Sequence, residues 1–137
     1  MSKASELNEL QGHIIGCNHL GINVDNLAKA KYFYGEILAL EELQRPEAVA
    51  KMFSSAWYLL GNAELHVVED PNMQQNSSPA GPHFAISSSH FKAITTRLAK
   101  TDIDIVFGPG AGLDGIDRLV IKDPAGNVIE LIDLPLR

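Results

Sequence analysis

The chain has 137 residues, of which 45% are hydrophobic and 20% charged, with a net charge of −6 and an isoelectric point near 5.2. That length suits one domain with a real core. An acidic balance without a basic cluster argues against nucleic acid or an anionic membrane as partner. The lone Cys17 rules out an internal disulfide, no run of about 18 apolar residues spans a bilayer, and the N-terminus lacks the apolar core of a signal peptide. A cytoplasmic location is the expectation.

Residues 1–13 are polar, with Leu7 and Leu10 at helical spacing, and predict an N-terminal extension with a short helix. Ile14–Val24 reads as a strand. Period-two alternation places Ile14, Leu20, Ile22 and Val24 on one face and Cys17, His19 and Gly21 on the other. Asp25 is the expected N-cap of an amphipathic helix whose apolar stripe includes Leu27, Ala30, Tyr34, Ile37 and Leu38. A short strand over Leu40–Gln44 follows, then a loop over Arg45–Ser54 around Pro46. Ser55–Leu60 and Ala63–Glu69 form a hairpin about the turn dipeptide Gly61-Asn62. Asp70–Gly81 has linker composition.

The second half repeats this order. Pro82–Ser87 predicts a strand, Ser88 or Ser89 a cap, Phe91, Ile94 and Leu98 a helix, and Ile103–Phe107 another strand. Gly108–Gly115 reads as a flexible loop, and Asp117–Lys122 and Asn127–Asp133 as closing strands. Each half is strand, helix and three strands, and a shift of 64 residues brings the halves into register. His19 then falls on His83, Leu65 on Ile129 and His66 on Glu130, and 47 residues separate His19 from His66 just as they separate His83 from Glu130.

Strand parity turns His19, His66, His83 and Glu130 toward the face free of helices. An acid among apolar neighbours such as Val128 and Ile132 costs free energy unless it is paired or metal-bound. Three imidazoles and one carboxylate suit a first-row divalent ion: Zn, Ni, Co, Mn or Fe. Taken singly, a strand histidine is more often a packed or hydrogen-bonded core group; four at repeat-equivalent positions favour a metal centre. Glu64 shares the face of His66 and competes with it as a ligand. His13 and His90 are expected at the surface, Cys17 as a small buried residue, and Trp57 or Tyr58 as packing. Arg118 has two readings, a substrate carboxylate partner or a surface ion pair. Gly108–Gly112 lacks the Gly-Lys-Ser/Thr ending of a phosphate loop.

The stretches Asn18-His19-Leu20-Gly21-Ile22, Glu64–Pro71, Pro82-His83-Phe84-Ala85-Ile86 and Arg118–Leu131 resemble the vicinal oxygen chelate superfamily, which includes glyoxalases, bleomycin-resistance proteins and ring-cleaving dioxygenases. The resemblance covers about residues 14–135, with one module near 14–71 and the other near 82–135. It implies an α+β fold of two tandem βαβββ modules, forming a U-shaped eight-stranded sheet around a metal-binding cavity. It further implies a small-molecule substrate held through two neighbouring oxygens, a homodimer, and His19, His66, His83 and Glu130 as metal positions. Glu130 is the one carboxylate among them that could also take a proton. Glyoxalase I resembles this chain but has Glu where His66 stands. Fosfomycin-modifying relatives carry a hydroxyl residue where Gly21 stands. Extradiol dioxygenases use three such ligands with iron, and a fourth at His66 would close a position they leave open.

Overall fold

The computed structural model describes residues 8–75, 78 and 80–136. In chain order it contains β1 (His19–Val24), α1 (Leu27–Lys31), β2 (Glu42–Leu43), α2 (Glu47–Met52), β3 (Ser55–Leu60) and β4 (Ala63–Glu69). After the linker come β5 (His83–Ser87), α3 (Phe91–Leu98), β6 (Asp104–Ala111), β7 (Asp117–Lys122) and β8 (Val128–Ile132). The fold is α+β and built from two βαβββ modules. Its strands form two four-stranded sheets, ordered β1-β4-β3-β2 and β5-β8-β7-β6, rather than one sheet with continuous hydrogen bonding.

The internal repeat is visible in the pairing itself. The first strand of each module runs parallel to the last, and Gly21 lies beside His66 as Ala85 lies beside Glu130. The antiparallel neighbours differ by one position. Trp57 faces His66, whereas Val120, and not Ile121, faces Glu130. The register of β7 has therefore slipped by one residue relative to β3.

Alternation works as expected on the strands that carry the histidines. Along β1, His19, Gly21 and Asn23 are exposed while Leu20 and Ile22 are half-buried and Val24 is buried. The inward residues Leu65, Val67, Leu119, Ile121, Ile129 and Leu131 join Phe33, Tyr34, Phe91 and Leu98 from the helical segments in one core cluster. Among the described residues, three side-chain hydrogen bonds tie the modules together, one of them from Arg97 Nη2 to the Glu36 carbonyl at 3.0 Å. The Tyr34 hydroxyl donates to Asp123 at 2.7 Å inside the core, and Asn127 Nδ2 donates to the Asn23 carbonyl at 2.7 Å.

Several local expectations are corrected. Residues 14–18 are not strand, and Ile14 and Ile15 are 91% and 96% exposed. Cys17, outside the sheet, is exposed rather than buried. Asn26, not Asp25, caps α1, its side chain accepting from the Lys29 amide. The helix then continues as a π-helical segment, Tyr32–Ile37, closed by Leu38 N–H donating to the Phe33 carbonyl. The expected loop over Arg45–Ser54 contains α2, because Pro46 precedes the helix, where its missing N–H costs nothing. His90 caps α3, with Ser88 Oγ accepting from its amide. The expected loop at Gly108 is the continuation of β6, an edge strand with irregular register, where Pro109 interrupts no inner ladder. Of the N-terminal helix, residues 1–7 lie outside the described residues, Asn8 is helical and 9–13 form turns. No described helix is long and apolar enough to cross a membrane.

Candidate metal centre

The four residues singled out above lie on the sheet faces opposite the core, as two pairs. In the first sheet the His19 and His66 rings stack with centroids 4.3 Å apart, because His66 lies beside Gly21, one step diagonal to His19. In the second, His83 Nε2 stands 3.4 Å from Glu130 Oε2 across the equivalent diagonal. Among the described residues of one chain, no group of three or more His, Cys, Asp or Glu is arranged to hold an ion. Each sheet thus carries half of the expected ligand set.

Hydrogen bonding prepares each imidazole. His83 Nδ1 is 2.7 Å from the Gly81 carbonyl, which can only accept, so Nδ1 carries a hydrogen and Nε2 is the ring atom left to face Glu130. An imidazole nitrogen and a carboxylate oxygen 3.4 Å apart can share a cation, whether a proton or a metal ion. His66 Nε2 is 2.9 Å from Glu64 Oε1, leaving its Nδ1 as the free donor atom. His19 Nδ1 meets Asn18 Oδ1 at 2.8 Å, leaving Nε2. A carboxylate or carbonyl that fixes the tautomer of a histidine is what a metal-binding imidazole ordinarily needs, so the donor set fits a divalent ion, although one chain does not gather it.

The surroundings of the pairs are unlike. Trp57, paired across the strand with His66, lies flat on its ring at 3.7 Å with planes 4° apart. It was expected as packing, but it faces the site side. Tyr58, one residue on, is buried on the core side, its hydroxyl 3.3 Å from Glu42. In the second sheet Arg118 shares the face of Glu130, and its Nη1 is 3.5 Å from Glu130 Oε1. Its Nη2 donates to both carboxylate oxygens of Asp114 at 2.6 Å. The Asp114 carboxyl is held below its usual pKa, first by the Ile116 amide and then by Arg118. Asp114 escaped the sequence reading, although an acid four residues before Arg118 across a Gly112–Gly115 turn was a usable signal. His13 and His90 are exposed, as expected.

A duplicated βαβββ unit, with histidines on the first strands and His66 and Glu130 on the last, defines a class that comparison with known proteins bears out. Residues 16–131 match the glyoxalase/bleomycin resistance protein/dioxygenase superfamily. The chain belongs to this superfamily. It is 27% identical over 121 residues to the metallothiol transferase FosB of Staphylococcus haemolyticus, covering 86% of this chain and 83% of that one. Among solved structures it is similar to a glyoxalase family protein from Bacillus anthracis, with 27% identity and a TM-score of 0.76 over 89% of this chain and 97% of that one. The fosfomycin resistance protein FosX from Listeria monocytogenes shares the fold at 17% identity and a TM-score of 0.72, over 90% and 94% of the two chains.

Proposed function

We propose that the protein is a metal-dependent, glyoxalase-like enzyme that holds a small substrate through two neighbouring oxygens, with His19, His66, His83 and Glu130 as the ligands of a divalent ion. The observation that carries this reading is the opposed pair His83 Nε2 and Glu130 Oε2, repeated as His19 and His66 at the equivalent diagonal of the other sheet. Because each sheet supplies two ligands, the full set requires two half-sites to meet. A second copy of this chain is the proposed source of the missing half, which makes the working form a homodimer. The exposed apolar residues Ile14, Ile15 and Val106 support an association of this kind.

A bound divalent ion supplies Lewis-acid polarisation of the substrate oxygens. The chain's own residues do the rest. Glu130 is the one carboxylate of the set and the proposed proton acceptor, with Arg118 Nη1 3.5 Å from its Oε1 to orient it. Four protein ligands speak against an iron dioxygenase, which leaves more positions open. The similarity to FosB, a metallothiol transferase, favours group transfer over simple ligand sequestration.

The experiment mixes two variants, His19→Ala/His66→Ala and His83→Ala/Glu130→Ala, each lacking one half-site. Neither alone should bind Co(II) or Ni(II), and their mixture, unfolded together and refolded, should recover one ion per mixed dimer. Recovery fails if the ligands belong to one chain. Full binding by both variants would overturn the ligand assignment itself.

A further inference from the structure

We propose that Arg118 is a binding subsite for a carboxylate group of the substrate, and that Asp114 occupies it in the free protein as an internal stand-in. The inference rests on the proposed metal centre only for its neighbour, Glu130. Arg118 opens onto a recess of about 470 Å³ that also contains Phe107, Leu113, Asp114, Val120 and Glu130. Apolar walls beside one guanidinium fit a small organic acid better than an inorganic anion.

The geometry is that of a filled carboxylate site. Both oxygens of Asp114 share one nitrogen of Arg118, Nη2, at 2.6 Å, so the internal carboxylate holds the guanidinium by one corner and leaves its two-point fork unused. The occupant, however, is poorly buried. The Asp114 side chain is 52% exposed at the tip of the β6–β7 connection, whereas that of Arg118 is 17% exposed. Leu113, beside it, is fully exposed. A partner at a solvent-facing tip is replaceable, whereas the guanidinium is not free to leave. Its Nε is buried with no hydrogen-bond partner among the described residues, and the guanidinium itself lies against Gly112, where even a β-carbon would collide with it.

Charge supports the exchange. In the free chain one cation faces two carboxylates, Asp114 and Glu130. A divalent ion at Glu130 reverses that excess and leaves the recess short of negative charge once Asp114 swings out. Because Arg118 touches Glu130, the acid group it takes lies next to the oxygens that chelate the ion on the same small molecule.

The test uses benzoate and its neutral analogue benzamide as probes, titrated by calorimetry into the full chain with and without Co(II). Benzoate should bind more tightly with Co(II) present, and benzamide should not respond. Asp114→Asn, which keeps an acceptor for the Ile116 amide, should tighten benzoate about tenfold if the internal pair is closed about nine-tenths of the time. Arg118→Lys, with the charge but not the fork, should weaken it, and Arg118→Met should abolish it. Unchanged benzoate affinity in Asp114→Asn overturns the proposal, even if Arg118→Met fails to fold. If Co(II) itself does not bind, the metal reading fails separately, and the benzoate response of the metal-free Asp114→Asn protein still decides this one.

Discussion

The indole of Trp57 lies flat on the imidazole of His66, 3.7 Å away, and His66 in turn lies on His19. Three aromatic rings are therefore stacked on one sheet face, with a proposed metal ligand in the middle. Trp57 is the only tryptophan of the chain, so its emission reports on that ligand alone. Co(II) or Ni(II) should quench Trp57 fluorescence to a stoichiometric end point, and His66→Ala should remove the response. Quenching that persists undiminished in His66→Ala would place the ion elsewhere.

Glu64 holds His66 Nε2 at 2.9 Å and thereby leaves Nδ1 for the ion. Replacing it with glutamine keeps the shape but loses the charge that makes the imidazole a better donor. Glu64→Gln should lower affinity for Co(II) by about tenfold or somewhat more, at unchanged stoichiometry. Isothermal calorimetry of the two proteins checks both numbers. A larger drop together with lost stoichiometry would instead make Glu64 itself a ligand.

The hydrogen bond from Tyr34 to Asp123 joins the two modules in a buried setting. The carboxylate also accepts from the Ala125 and Asn127 amides and from Asn127 Nδ2. Tyr34→Phe should destabilise the chain by about 1.5–3 kcal/mol, read from urea midpoints, because the bond is to a charged acceptor. Burial, with Asp123's charge as a further cause, pushes the Tyr34 phenol far above its ordinary value. The unfolded chain ionises near pH 10 while the folded one stays protonated. This contribution is complete below about pH 10 and is lost as pH rises beyond it. Stability should therefore fall in that range, less steeply in Tyr34→Phe. Some slope should remain, since burial and Glu42 also raise Tyr58.

The strands that carry the site were legible in the sequence because their alternation is strict and duplicated: His19 with Leu20, and His83 with Phe84, fall on opposite faces as parity requires. Less could be read where one residue obeys two rules. Pro46 breaks a helix in its interior but is tolerated where one begins, and α2 begins there. Gly108 and Pro109 signal a loop, but an edge strand accepts both, since its outer N–H groups need no partner strand. Arg118 could not be assigned a face because the repeat slips within β7. Its contact with Asp114 depends on a turn whose path no periodicity describes. The 47-residue spacing pairs His19 with His66 and His83 with Glu130, but it does not reveal that the two pairs stay apart within one chain.

The slip in β7 has a chemical outcome. Under a perfect duplication the two sheets would offer the same pattern of residues to whatever they enclose. By pairing instead of spacing, Arg118 stands where Ser55 stands in the first module, and Val120 where Trp57 stands. One half-site is thus walled by a flat indole and the other by an aliphatic side chain and a guanidinium. An unsymmetrical molecule has a preferred way round in such surroundings, so the divergence of the two modules, in side chains as well as in register, gives handedness to a site that gene doubling alone would have left ambidextrous.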